Sequence, residues 1–298
     1  MVTINTQLPT VKKIFLNYEL QKQLPRKHLG GSEIGTSCER KLWYGFRHCG
    51  SPSFDGRMLR LFETGQLEET RLIRNLRMSG IEVLDIDPDT KKQFTVEECG
   101  GHFGGSLDGV GRGFPESTKW HLLEFKTANN KSFKNLEKYG VNKSKPIYWA
   151  QMQVYMHLAD LERAYFLCVN KDTDEIYGER IKRNLEEGKE LVEKARKIIF
   201  AQYPPFGVSD DPKWFECKFC SFSDVCYKKE YPEASCRNCL HTTPEPDGTW
   251  SCAVNQKTGK VCKRHLFIPD LLGNPIDADE GKVIYESGLV NEAGGIIK

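Results

Sequence analysis

Asp108, Glu124 and Lys126 interrupt the apolar positions Leu107, Val110, Leu122, Leu123 and Phe125 in the run GGSLDGVGRGFPESTKWHLLEFKT, residues 104–127. On a strand, residues two apart share a face, so Glu124 and Lys126 project together while Leu123 and Phe125 point the other way. Gly113, Pro115, Glu116 and Ser117 make a turn. The midpoint between positions 108 and 124 falls inside it, so antiparallel pairing sets Asp108 opposite Glu124. Two carboxylates facing each other across a ladder repel, and the arrangement makes chemical sense when a cation lies between them. Hard oxygen ligands suit Mg²⁺ or Mn²⁺, which polarise a phosphate, position water and stabilise a leaving oxygen. Two such ions, about 3.5–4 Å apart, are one option.

The spacing D-x15-E-x-K on the strand LLEFK resembles the PD-(D/E)XK nuclease superfamily, and more narrowly its RecB-like and lambda-exonuclease-like branch. Gly65 and Glu69 in FETGQLEETRL look like the branch's helical G-x-x-x-(E/H) motif, with Glu68 as the register alternative, and Gln151 and Tyr155 in YWAQMQVYM match its Q-x-x-x-Y helix. Leu107 stands where the family name has proline. The resemblance runs over residues 32–226 and implies an α/β, restriction-endonuclease-like core with a mixed central sheet flanked by helices. It implies Glu69, Asp108 and Glu124 as metal ligands, joined by the Phe125 carbonyl. Lys126 would orient or activate water and offset charge on phosphate, while Gln151 and Tyr155 position the site or DNA. The implied function is metal-dependent hydrolysis of DNA, as an exonuclease acting on ends in recombination, repair or phage DNA processing. A noncatalytic nucleic-acid-binding or assembly protein that kept the fold is the alternative from another class. The plain structural reading of the motif is a buried Glu124–Lys126 salt bridge.

The chain has 11 cysteines. Cys217, Cys220 and Cys226 give C-x2-C-x5-C, and three such closely spaced cysteines need a fourth soft ligand from elsewhere. Cys38, in SEIGTSCERKLWYGFR, resembles the N-terminal cysteine helix of iron-sulfur nucleases such as the AddB nuclease domain and CRISPR-associated adaptation nucleases. In those, one cysteine before the nuclease core and three after it hold a 4Fe-4S cluster, for which four thiolates are the appropriate ligation. Loop-closure cost grows only logarithmically with length, so the wide separation is no obstacle. Zinc is the competing occupant. A second set, Cys236, Cys239, Cys252 and Cys262, opens with a C-x2-C knuckle suited to structural Zn²⁺, with His265 as an alternative to Cys252 or Cys262. Cys49, Cys99 and Cys168 lack partners in spacing and are expected as plain thiols, and His102 and His157 as structural histidines. Trp43, Tyr44, Phe46 and Arg47 form an aromatic and basic group that could stack unpaired bases, with core packing the expected role of Trp43 and Phe46.

The elements that must position these residues are legible in outline. Helices are expected over residues 8–24, 32–47 with Ser32 as N-cap, and 57–78 ending at Gly80, followed by a meander over 81–87, 92–98, 103–111 and 119–127. Residues 129–145 read as loop or short helix, and their lysines are either solvated or in contact with phosphates. Pro146 opens a helix through Leu161, strands follow at 163–170 and 174–182, and a charged helix covers 185–202. The division expected is a nuclease domain with an iron-sulfur clasp over 1–230 and a small Cys-rich, metal-stapled module with tail over 231–298, short of regular periodicity. With 298 residues, 39% hydrophobic content and formal charge +2, the composition is that of a globular protein. Residues 1–80 hold 13 Lys or Arg against 7 Asp or Glu, which permits an anionic partner without requiring one. No run of about 18 apolar residues and no apolar signal core is present, so the expectation is no membrane and a cytoplasmic location, in a host cytoplasm if phage-encoded. The expected partner is DNA, as ends or single strands. The absence of a G-x4-G-K-[ST] sequence would leave unwinding to a helicase or recombination partner.

Overall fold

The structure is a computed structural model that describes residues 8–21, 25–50, 54–255, 258–273, 275–279, 282–285, 290–292 and 295–297. In chain order it contains α1 (Pro9–Glu19), β1 (Leu29–Gly30), α2 (Glu39–Phe46), α3 (Gly56–Met78), β2 (Glu82–Leu84), β3 (Thr95–Glu98), β4 (Phe103–Ser106), β5 (Gly109–Arg112), β6 (His121–Ala128), α4 (Asn130–Ser144), α5 (Pro146–Leu158), β7 (Arg163–Asn170), β8 (Ile176–Lys182) and α6 (Leu185–Phe200). A short helix α7 (Phe215–Lys218), the hairpin β9 (Thr242–Pro244) and β10 (Trp250–Cys252), and β11 (Pro275–Asp279), β12 (Lys282–Tyr285), β13 (Val290–Glu292) and β14 (Gly295–Ile297) follow. No helix among the described residues is long and apolar enough to cross a membrane. Contacts divide the chain into two units: Met1–Leu24 with Pro52–Thr95 and Ser106–Asn184, and Pro25–Ser51 with Val96–Gly105 and Leu185–Lys298.

The first unit is built on a mixed sheet of order β2-β5-β6-β7-β8, in which only β6 and β7 run parallel. Parallel neighbours need a crossover, and α4 and α5 supply it. Leu123 and Phe125 on β6 share a buried cluster with Leu72 of α3, Val83, Leu167 and Val169. The period of two therefore turns Leu122, Glu124 and Lys126 to the opposite face. α3 is capped by Asp55, whose side chain accepts from the Met58 N–H at 2.7 Å, and the chain leaves it through Gly80 at φ 81°.

One expectation is settled between its alternatives and two are corrected. The 129–145 segment is a helix over most of its length: Asn129 caps it through the Ser132 N–H at 2.9 Å, and Phe133 and Leu136 bury one stripe. Its lysines mask that stripe, and Gly140 at φ 69° interrupts it. The meander is two sheets, because β4 pairs with β1 and β3 while β5 pairs with β2 and β6. The expected single strand over 103–111 thus ends at Ser106 and a new one starts at Gly109. Residues 275–297, read as irregular, carry a four-stranded antiparallel sheet β11-β12-β13-β14, whose short Ile- and Val-containing runs are separated in sequence by Gly281 and Gly288.

In the second unit α2 packs on α6. α2 begins at Glu39, with Cys38 at its N-terminal boundary; Ser32 lies in a separate single turn over Gly31–Glu33, so it caps nothing of α2. Trp43, Tyr44, Phe46 and Arg47 are all buried, which removes them as a base-stacking surface. His102 is interior as expected, edge-on to Phe46 and Trp250, with its Nε2 3.1 Å from the Thr249 carbonyl.

Candidate functional site

The register of the β5–β6 ladder, Gly109↔Leu123 and Val110↔Leu122, extends by one residue to place Asp108 against Glu124. Gly109 sits at φ 151°, where a Cβ would approach the Leu84 carbonyl to 2.9 Å, so glycine is what lets the strand start directly after Asp108. One Asp108 oxygen accepts from the Phe125 N–H at 2.7 Å, tying it to β6. Glu124 is fully buried, its Oε2 receives the Gln151 amide of α5 at 2.9 Å, and its Oε1 is paired with the Lys126 ammonium. Tyr155, one turn after Gln151, is also buried.

Burial raises the carboxyl of Glu124 to about 7; Lys126 opposes the shift and Asp108 and Glu69 add to it. Asp108 is raised by burial against the pull of Lys126 and the Phe125 N–H. Glu69 is raised by burial and by Asp108, and Lys126 again opposes. Burial works against the Lys126 ammonium, yet Glu124 and Asp108 overcome it and hold its pKa above the usual lysine range. Three acids from α3, the start of β5 and β6 therefore act on one another and on one ammonium. Glu68 is engaged elsewhere, 3.2 Å from Arg71, which also pairs with Asp174 at 2.6 Å, so Glu69 is the residue in register with the cluster. Tyr148 was not anticipated. Its ring lies 5.3 Å from Lys126 Nζ and 5.9 Å from Lys145 Nζ, and its position three residues before Gln151 was the available signal.

Gly65 lies one turn before Glu69 on α3, and a Cβ there would meet nothing within 4 Å. An alanine at this helix-interior position should stabilise the protein by about 1 kcal/mol, since glycine leaves the backbone more freedom to lose. A Gly65→Leu variant should keep or raise the melting temperature while obstructing whatever approaches Glu69. Thermal melting and a DNA-degradation assay on the same preparations check both expectations.

In the second unit Cys38, Cys217, Cys220 and Cys226 line one small pocket together with Arg40, Tyr44 and Tyr227. Around the second cysteine set the sulfurs are engaged locally: Cys236 Sγ donates to the Lys260 carbonyl at 3.2 Å and Asn255 donates to Cys262 Sγ at 3.0 Å. Cys239 is buried and within electrostatic reach of Cys252. His265 is buried with its Nε2 2.9 Å from the Ser235 carbonyl and 3.0 Å from Asn238 Oδ1, and its Nδ1 has no hydrogen-bond partner among the described residues. Among the described residues no three His, Cys, Asp or Glu side chains are grouped as ligands of a single ion. Cys49, Cys99 and Cys168 are buried free thiols.

No family model matches the chain, and no curated protein matches it. Among solved structures it is similar to SSO0001, at 18% identity over 72% of this chain and 92% of that one, with a TM-score of 0.42. It is similar to LHK-Exo in complex with dAMP, at 17% identity over 62% of this chain and 89% of that one, TM-score 0.41. A further structure of the alkaline exonuclease LHK-Exo, from Laribacter hongkongensis, gives 18% identity over the same shares and a TM-score of 0.40.

Proposed function

We propose that the chain is a metal-dependent deoxyribonuclease of the RecB-like PD-(D/E)XK kind, acting as an exonuclease on DNA ends. The observation that carries the proposal is the placing of Asp108 against Glu124 by the β5–β6 register, with Lys126 paired to Glu124, Gln151 bonded to it and Glu69 within electrostatic reach. Two carboxylates with raised pKa values across one ladder form a donor set that fits a hard divalent cation. When bound, Mg²⁺ or Mn²⁺ supplies Lewis acidity toward the scissile phosphate and acidifies water. The Phe125 N–H fixes one Asp108 oxygen and leaves the other for a cation, while Gln151 holds one Glu124 oxygen and Lys126 pairs with the other. Lys126, held positive by its neighbours, orients the attacking water and offsets charge as it develops on phosphate.

In the same reading Cys38, Cys217, Cys220 and Cys226 hold a 4Fe-4S cluster. Their common pocket supports it, because four thiolates are the donor set that such a cluster would take. Cys236, Cys239 and two of Cys252, Cys262 and His265 hold structural Zn²⁺, supported by the C-x2-C spacing and by the unpartnered His265 Nδ1. Residues 1–230 then carry the nuclease domain with its cluster and 231–298 the zinc module.

End-labelled duplex and single-stranded DNA, incubated with Mn²⁺ and either the wild type or Asp108→Ala, tests the function. Release of label as short products by the wild type alone is expected. Equal degradation by both proteins, or binding without degradation, contradicts the proposal, and the second outcome identifies a noncatalytic binder.

The raised pKa values also fix a pH dependence. A carboxyl whose folded pKa lies above its unfolded value stabilises the metal-free protein at low pH, and that contribution is lost as pH rises through the folded value, here about 7 for Glu124. Mn²⁺ competes with the proton, so the sign reverses for metal: affinity should rise about tenfold per pH unit below 7 and level off above it. The Mn²⁺-induced increase in melting temperature should therefore be larger at pH 8 than at pH 6, and absent in Glu124→Gln.

A further inference from the structure

We propose that Arg40, Tyr44 and Tyr227 set the potential at which the group held by Cys38, Cys217, Cys220 and Cys226 takes up an electron. The inference rests on the 4Fe-4S reading of that pocket and concerns side chains that are not ligands. Arg40 is aimed by a bond from Nε to the Pro205 carbonyl at 2.8 Å, which presents Nη1 to Cys226 Sγ at 3.5 Å. Gly207 makes room for it, since a Cβ there would lie 3.3 Å from the same Nη1. Tyr44 is buried within electrostatic reach of the same cysteine. Its ring packs 5.7 Å from Phe222, another side chain lining the pocket.

Tyr227 has one hydroxyl proton and two acceptors in range, the Ser209 carbonyl at 2.8 Å and Cys217 Sγ at 3.0 Å. A neutral thiol can share that contact in either direction, whereas a thiolate can only accept, so ligation turns the phenol proton to sulfur. Two of the four sulfurs thus meet aimed donors, one of them a full positive charge. A 4Fe-4S core of charge +2 with four thiolates carries −2 in total. Uptake of one electron from a low-potential donor such as dithionite makes it −3, with no bond broken and no proton moved. Donors directed at the sulfurs favour the more negative state and raise the potential, more strongly in a site shielded from water.

The test uses the full chain purified anaerobically as wild type, Tyr227→Phe, Arg40→Gln and Arg40→Lys. Iron and sulfide content with the visible spectrum establish the cluster first; the midpoint is then read by dithionite titration, following bleaching and the signal of the reduced paramagnetic state. Tyr227→Phe removes one oxygen and little volume, so it should load iron normally and shift the midpoint to a more negative value. Arg40→Gln should shift it further, and Arg40→Lys should return most of the difference. Iron-loaded variants with the wild-type midpoint would overturn the inference while leaving the cluster in place. A colourless, iron-free wild type would overturn the cluster reading and the inference with it.

Discussion

Lys126→Ala should lower the turnover of DNA degradation by about 10²–10³-fold with little change in KM, the loss expected when one group aimed at developing transition-state charge is removed. The same variant should show a pH-dependent stability defect. Lys126 is the ion partner of the fully buried Glu124, and without it Glu124 can remain buried only by keeping a proton. Its folded pKa then moves further above the unfolded value, so the variant should match the wild type near pH 5 and melt at progressively lower temperature as pH rises past 7. Lys126→Arg keeps a positive charge and should restore much of the stability at pH 8 but not the turnover, because a planar fork does not place a proton donor where an ammonium does. Circular dichroism melts at pH 5 and 8, beside initial rates at pH 8, separate the two effects. A variant that is inactive and equally stable at both pH values would contradict the pairing.

Arg47→Met should destabilise the protein by about 2–4 kcal/mol, lowering the apparent melting temperature by roughly 5–15 °C. Arg47 is only 2% exposed and donates to the carbonyls of Arg237, Thr242 and Ala201 at 3.3, 3.1 and 3.1 Å. Its guanidinium lies 5.5 Å from the Trp43 ring and 5.4 Å from the Trp250 ring. Burial pushes its pKa down to about 10. Arg237 shares the Trp250 face at 4.8 Å and bonds to the Phe46 carbonyl at 3.1 Å. Methionine would strand the Arg237 and Thr242 carbonyls and lose two ring contacts, while the Ala201 carbonyl keeps its bond from Trp43 Nε1 at 2.9 Å, against the relief of no longer burying a charge beside another cation. The first effect is the larger because each unpaired buried carbonyl costs about 1–3 kcal/mol. These contacts tie the loop around Cys236–Cys239 to α2, which starts beside Cys38. An unchanged melting temperature would show that water satisfies the carbonyls.

How much of this was legible in the sequence differs from element to element. The opposition of Asp108 and Glu124 could be read because a period of two and one turn fix the register of a hairpin, and the observed pairing has that register. The choice of Glu69 over Glu68 could not, since adjacent helix positions differ only in what stands opposite them, and Arg71 and Asp174 are supplied by tertiary structure. The split at residues 106–109 was hidden because β4 leaves for a partner, β1, about 74 residues earlier in the chain, and an apolar run does not name its neighbour. Trp43, Tyr44 and Phe46 carried both a stacking and a packing meaning, and burial selected packing. In α4 the lysines outweighed Phe133 and Leu136 in the reading, although two apolar residues three apart are enough to seat a helix on a sheet.

In the proposed site the side chains of Glu69, Asp108 and Glu124 close on one divalent ion beside Lys126. Crystals of the protein soaked in Mn²⁺ and measured at the manganese absorption edge test it most directly. An anomalous peak is expected within bonding distance of Asp108 and Glu124, with Glu69 at its edge. A peak only at other residues, with Lys126 still paired to Glu124, would contradict it.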